Sequence, residues 1–358
     1  MCSSDLQPTR DGGCGLQSAE LSAKPAHWAS WWAAGPRVAE RLGAAGVVEL
    51  RGQVGEMDLA FRALEAEARE AGVAKASWTQ KELSRVRVTK AAAHLRNQIG
   101  HFSTHRVALD SASRTGAGGF LLLPGLCEPC VDDELFRISA RVRLHAAVCE
   151  EGAACQHKRS DGTICGEALD PHGRHALSCA VGGWRSRRHD ALRDCLADIA
   201  RNAGEHADIE VDVTGAAADP ATGARMDIVL RGAAGGTERL LIDVAVVSPF
   251  AVGAGGRVGA AASQMAAHKR RKYHRVAVIL AVVETMGRPG ADLQALLRRL
   301  APTDLAARAA FMAKSWRLLS ATVQTHNALM IRAARGQGGT MPPGPRRPPR
   351  AEIGRAHV

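Results

Sequence analysis

The chain has 358 residues, 46% of them apolar, which is enough for two or three modest domains with cores of their own. A formal net charge of +11 and a pI near 9.6 favour a polyanionic partner, and nucleic acid is the commonest one. No run of about 18 apolar residues occurs, which argues against a membrane span, and no signal peptide precedes the nine cysteines, so the chain is not expected to be secreted. An odd number of cysteines clustered with histidines points to reduced thiols and a metal, not to a disulfide framework.

Residues 12–105 read as mostly helical. Met57 to Ala71 places Leu59, Phe61 and Leu64 among helix formers, with Gly72 as a stop. Thr79 followed three residues later by Glu82 is a capping signal for a helix reaching Asn97. Its Lys81, Arg85, Arg87, Lys90 and Arg96 either track phosphates or form a solvated face. Residues 107–126 read as a Ser/Gly-rich turn region ending in the short apolar run Phe120 to Leu123. Asp132 to Leu144 is an amphipathic helix.

Residues 145–181 carry a Cys/His cluster. Cys155, Cys165, His175 and Cys179 are separated by nine, nine and three residues, and Cys3His is a ligand set suited to tetrahedral zinc. Asp161-Gly162 would turn a hairpin that brings Cys155 and Cys165 together. His175 and Cys179 are four apart, so one helical turn presents both on one side. Cys149, His157 and His172 are alternative ligands, and Cys127 with Cys130 is a competing pair.

Ser186 to Asn202 is an amphipathic helix, with Leu192, Leu196 and Ile199 at helical spacing. Ile209 to Val213 alternates with period two, and Ala224 to Leu230 reads as a second strand. A Gly-rich turn over 232–236 follows. Arg239 to Val247 is nearly all apolar, as befits the centre of a sheet covered on both faces. Ala261 to Tyr273 is a basic helix, and Val276 to Val283 is another buried strand. From about residue 333 the Arg/Pro/Gly-rich chain is expected to be disordered.

Single acids interrupt two of the apolar strands, at Asp227 and Asp243. A buried carboxylate is costly unless paired or bound to a cation, and two on adjacent strands suit magnesium. A metal-bound water could then attack a phosphodiester, with Glu210 in support and a lysine offsetting the charge that develops. Water or a neighbouring arginine at the strand ends is the plainer account of the same acids.

The order helix, strand, strand, strand, helix, strand with these acids resembles the PD-(D/E)xK nuclease fold. Met226 stands where that pattern has proline, and Ala245 where it has lysine. Lys269, Lys272 and Tyr273 on the next helix could reach the acids instead. Together with the Cys/His cluster, these features resemble the C-terminal region of site-selective non-LTR retrotransposon polyproteins, which join a reverse transcriptase to a zinc knuckle and a restriction-like endonuclease. Arg188-His189-Asp190 stands where that family has a basic-His-Asn motif, Asp227 and Asp243 match its catalytic acids, and Lys269, Lys272 and Tyr273 match its displaced Lys/Tyr motif. Gly12-Gly13-Cys14-Gly15-Leu16 resembles a glycine motif downstream of the polymerase palm. No Tyr-x-Asp-Asp signature occurs, so the polymerase core itself is not expected here.

The expected fold is thus α/β (α+β), a restriction-endonuclease-like mixed sheet flanked by helices. The expected domains are a helical remnant of a polymerase thumb or linker at 12–144, a zinc knuckle at 145–182, the nuclease at 183–330 and a disordered tail at 331–358. Residues 1–11 are expected to be artefactual or disordered, because Cys2 to Leu6 and Glu352 to Ala356 can be encoded by one adapter-like nucleotide string and its reverse complement. The chain would then be a fragment of a longer reading frame. The resemblance implies a Mg2+-dependent endonuclease, with structural Zn2+, that nicks double-stranded target DNA to prime reverse transcription of element RNA. Its place would be nuclear in a eukaryote and cytoplasmic otherwise. A non-catalytic, zinc-dependent nucleic-acid-binding protein derived from such an element is the alternative, and a junction-resolving or repair nuclease with the same core is another.

Overall fold

The computed structural model describes residues 19–46, 48–49, 55–74, 78–100, 103–122, 132–213, 224–232, 239–251 and 257–337. The glycine motif at 12–16, Cys127 and Cys130, most of the Gly-rich turn at 232–236, both chain ends and the tail beyond 337 lie outside the described residues. What is described is a mixed α+β structure with ten α-helices and one four-stranded sheet.

Three helices come first: α1 (Ala19–Leu42), α2 (Gly55–Glu70) and α3 (Gln80–Gln98). They share a core of Trp28, Phe61, Leu64, Ala68, Trp78 and Leu83, in which Trp28 stacks on Trp32 and meets Trp78 edge-on. Phe61, Leu64 and Ala68 follow the three-to-four residue spacing of one buried face. Leu59, two residues before Phe61, falls on the opposite face and is 69% exposed. Thr79 caps α3 as expected, its Oγ1 accepting from the Glu82 N–H at 3.2 Å. Glu82 does not close the capping box but pairs with Arg85. Arg87, Lys90 and Arg96 likewise pair with Glu67, Glu70 and Asp110. Of the five cations read as phosphate contacts on α3, four are therefore engaged within the protein.

Residues 107–112 are helical rather than part of a turn region, because α4 spans Thr104–Ala112. Ser103 caps it, Arg106 pairs with Asp110 one turn on at 2.8 Å, and Arg288 donates to the Asp110 carbonyl at 2.7 Å. A 3-10 turn, Gly119–Leu122, lies on α10 (Leu305–Ala334), where the Phe120 N–H donates to Ser320 Oγ. α5 spans Asp133–Arg143, with Asp132 as its N-cap and Leu144 as its C-cap. Leu135, Ile138 and Val142 of α5 share one core with Leu169 and Leu177 of the Cys/His segment and with Ala328, Met330 and Ile331 of α10. Packing thus runs continuously across residue 144. α10 also carries regular structure past 333 to Ala334, whose carbonyl accepts from the Gln156 N–H at 2.9 Å.

The sheet has the order β1 (His206–Val213), β2 (Ala224–Arg231), β3 (Arg239–Val247), β4 (Val278–Glu284). The first two pairings are antiparallel, and β3–β4 is parallel across α8 (Ala260–Lys272). One face packs Leu192, Leu196 and Ile199 of α7 (Trp184–Asn202), Leu293, Leu296 and Leu297 of α9 (Ala291–Leu300), and Trp316 and Leu319 of α10. The other face packs Ala261, Ala262, Ala266 and Tyr273 from α8 and its C-cap. β3 is central and covered on both faces, which explains its apolar run.

Candidate functional site

The Cys/His segment folds as its spacing suggests. Asp161 Oδ1 accepts from the N–H and hydroxyl of Thr163, and Gly162 takes a φ of 87°, which suits glycine. The hairpin closes with Cys165 N–H on the His157 carbonyl and Cys155 N–H on the Glu167 carbonyl, both at 2.8 Å. α6 (Arg174–Ser178) then presents His175, and Cys179 is its C-cap. Asp170 secures the start of that turn, accepting from the His175 N–H at 2.8 Å. One ligand atom from each of Cys155, Cys165, His175 and Cys179 lies within 4.8 Å of the others. This Cys3His cluster could hold a metal such as zinc. Burial pushes the Cys155 thiol up to about 12, and that of Cys179 is raised by the same cause. A bound cation would instead favour thiolates. The alternatives stay outside this set: Cys149 is buried elsewhere, and His157 Nε2 lies 2.9 Å from the Met330 carbonyl. His172 joins a different cluster.

Asp227 and Asp243 meet where the β2–β3 ladder ends. The pairs Leu230↔Leu240, Val229↔Leu241 and Ile228↔Ile242 lead to Asp227 opposite Asp243 as the next position. The two carboxyl groups lie within hydrogen-bonding range of each other. Here backbone pairing stops, and Asp227 Oδ2 accepts from the Val244 N–H at 2.6 Å. The alternation of β2 also resets at this point. Ile228 and Leu230 pack toward α7, whereas Ala224 and Met226 pack toward α8. On β1 the corresponding position is Glu210, between the pairs Ile209↔Ile228 and Val211↔Met226, with a φ of 56°. This local twist lets groups from both helical layers reach Asp227 and Asp243.

From α7, His189 Nε2 lies 3.1 Å from Asp227 Oδ2 and 3.2 Å from the Val244 carbonyl, and Nδ1 lies 3.3 Å from Asp190. From α8, Lys269 Nζ lies 2.5 Å from Asp243 Oδ2 and 3.4 Å from the Val244 carbonyl. Asp243 is only 5% exposed. Burial raises its pKa; Lys269 opposes that shift and the Asp227 charge adds to it. Burial acts the same way on Asp227, but the His189 contact and the Val244 N–H outweigh it and hold its pKa low. Burial disfavours the charged form of His189, yet Asp227 and Asp190 prevail and raise its pKa. Tyr273 is buried beside this group; burial first, and then the Asp243 charge, raises its pKa.

The remaining expected residues fall elsewhere. Lys272 is exposed, its Nζ 4.9 Å from the centre of the Tyr273 ring. Glu210, expected to support the acids, is tied to Arg193 at 2.6 Å and to Arg225. Arg188 is buried, donating to Asn327 of α10 at 2.7 Å and to the Leu177 carbonyl at 3.2 Å, and so joins α7 to the Cys/His segment. Two contributors went unread in the sequence. Arg193 gathers Asp190, Asp194 and Glu210 behind His189, and its place one helical turn after His189 was the available signal. The Val244 backbone, which contacts Asp227, His189 and Lys269, could be found only from the strand register.

No protein-family model and no curated protein matches this chain.

Proposed function

We propose that the chain is a divalent-metal-dependent DNA endonuclease module behind a zinc knuckle, of the kind found in site-selective non-LTR retrotransposon polyproteins. The observation that carries this reading is the pairing of Asp227 and Asp243 across the end of β2–β3, with Lys269 on one and His189 on the other. The donor set suits a hard cation: two neighbouring carboxylates and the Val244 carbonyl, all oxygen. Magnesium held there would supply an activated water and Lewis-acid stabilisation of the phosphate. Both hydrogen bonds that fix Asp227 fall on Oδ2, so the protein orients this carboxylate through one oxygen. Lys269, paired with Asp243, would offset charge on the scissile phosphate. His189 is the second basic group at the pair, held from behind by Asp190, with Arg193 holding Asp190 in turn. The exposed Arg185, one turn before His189, and the exposed Arg271 and Lys272 on α8 would take neighbouring phosphates.

In this reading the zinc knuckle and basic surface hold double-stranded DNA, and the nick leaves a 3′ hydroxyl that primes copying of element RNA. Supercoiled plasmid should be converted to the open circle by the purified chain with magnesium and not without it. One observation favours a non-catalytic zinc-dependent binding protein: the Lys269–Asp243 ion pair neutralises the buried acid with no metal. Tight, salt-dependent DNA binding with no nicking at any magnesium concentration would make that the correct reading.

A further inference from the structure

A second histidine cluster lies where α4, the end of α5 and the Cys/His segment meet. His105 is the second residue of α4, His145 directly follows the α5 C-cap, and His172 precedes α6 in the sequence Pro171-His172-Gly173. One ring nitrogen from each lies within 4.8 Å of the other two. His145 is 4% exposed, and neither of its ring nitrogens has a hydrogen-bond partner; Nδ1 of His172 is also buried without one. Buried polar atoms left unpaired are costly, so an imidazole retained in this state calls for a ligand.

The backbone adds a second, independent sign. His145 has a φ of 52°, and its N–H and that of Ala146 return to the Val142 and Arg141 carbonyls, closing α5 in the left-handed conformation. Glycine is the usual residue there because a side chain is strained in it. A buried histidine at such a position, with its ring against two more histidines, is poorly explained by packing alone.

We propose that His105, His145 and His172 form a second transition-metal site, separate from the Cys3His cluster, that staples α4 and α5 to the knuckle. An all-imidazole set without carboxylates suits zinc-class metals and not magnesium or calcium. The rings of His145 and His172 stack 3.8 Å apart at 13°, and His105 meets His145 edge-on at 4.6 Å. Ring rotation about Cβ–Cγ would converge the lone pairs, closing the nitrogens to the roughly 3.3 Å separation set by zinc–nitrogen bonds of about 2.0 Å. Exposed His105 marks the solvent side, where water completes the tetrahedron. The neighbouring Arg174 does not oppose this charge unbalanced, because its Nε lies 3.3 Å from Asp170.

Metal content of the full chain, expressed with zinc and measured by mass spectrometry against protein concentration, tests the proposal. The wild type should carry about two zinc equivalents and His105→Ala about one. His105 is exposed, so this variant should retain the wild-type circular dichroism; His172→Gln provides a second removal if it does not. Cobalt(II) substitution identifies the equivalent that is lost. His105→Ala should keep the thiolate-to-metal charge-transfer band of the Cys3His cluster and lose a second, thiolate-free component. One equivalent in the wild type, or equal metal content in wild type and both variants, would overturn the site.

Discussion

Asp227 Oδ2 takes the Val244 N–H at 2.6 Å, so a side-chain oxygen replaces the next backbone rung of the β2–β3 ladder. The carboxylate therefore has a structural duty beside any chemical one, and the two can be separated. Asp227→Ala leaves the Val244 N–H without an acceptor, a loss of about 1–3 kcal/mol. Asp227→Asn keeps an oxygen there and should be distinctly more stable than the alanine variant in urea unfolding. Both should fail to nick DNA, since neither offers a carboxylate to magnesium. Equal stability of the two variants would remove the structural half of this assignment.

The His189–Asp227 contact makes a pH prediction for the protein in magnesium-free buffer. The folded pKa of His189 is raised, so its ionic contribution to stability is complete below the unfolded value of about 6.5 and is lost as pH rises through the folded value. Asp227, whose pKa is lowered, remains charged across that window. The stability gap between wild type and His189→Gln should therefore be wider at pH 6 than at pH 9. A gap that is constant, or that widens with pH, would show that the imidazolium form is not the one held.

Metal at the knuckle should be integral to its fold, because its ligands come from both the hairpin and the five-residue α6, and one ion would tie the two together. Cys165→Ser should lose the thiolate-bound metal and speed hydrogen exchange over 150–182, while amides of β3 and β4 exchange as in the wild type. Uniform loosening of the whole chain would instead place the knuckle inside the cooperative core.

The seat of the 3-10 turn on α10 is tight. A Cβ on Gly119 would stand 2.5 Å from the Trp316 carbonyl oxygen and 2.9 Å from its carbonyl carbon. Backbone cannot yield as a flexible side chain can, so Gly119→Ala should destabilise the protein by about 1–3 kcal/mol, read as a lower Tm. An unchanged Tm would mean that this turn does not rest on α10 in solution.

The strands and their acids were legible because isolated carboxylates stand out in apolar runs, and Asp161-Gly162 marked the hairpin between Cys155 and Cys165. The choice between Lys269 and Lys272 was not legible. They are three apart on one helix, and only the docking of Ala262 and Ala266 on the sheet decides that Lys269 turns toward Asp243. α10 ends at Ala334, within a residue of where the composition turns Arg/Pro/Gly-rich. Its C-terminal turns are fixed by contacts with distant segments, Arg188 on Asn327 and Gln156 on Ala334, that local composition does not encode. Arg87 and Lys90 looked available in the sequence because their partners Glu67 and Glu70 lie on another helix.

In the proposed mechanism Asp227 and Asp243 share one catalytic cation. Magnesium-dependent nicking by Asp243→Asn, compared with wild type at matched DNA occupancy, tests it most directly. The substitution keeps size and fold while removing the charge that draws the metal. The single-turnover rate should fall at least about 100-fold with DNA affinity within about twofold of wild type, with a comparable fall for Lys269→Ala but not for Lys272→Ala. Nicking by Asp243→Asn at the wild-type rate would contradict that mechanism.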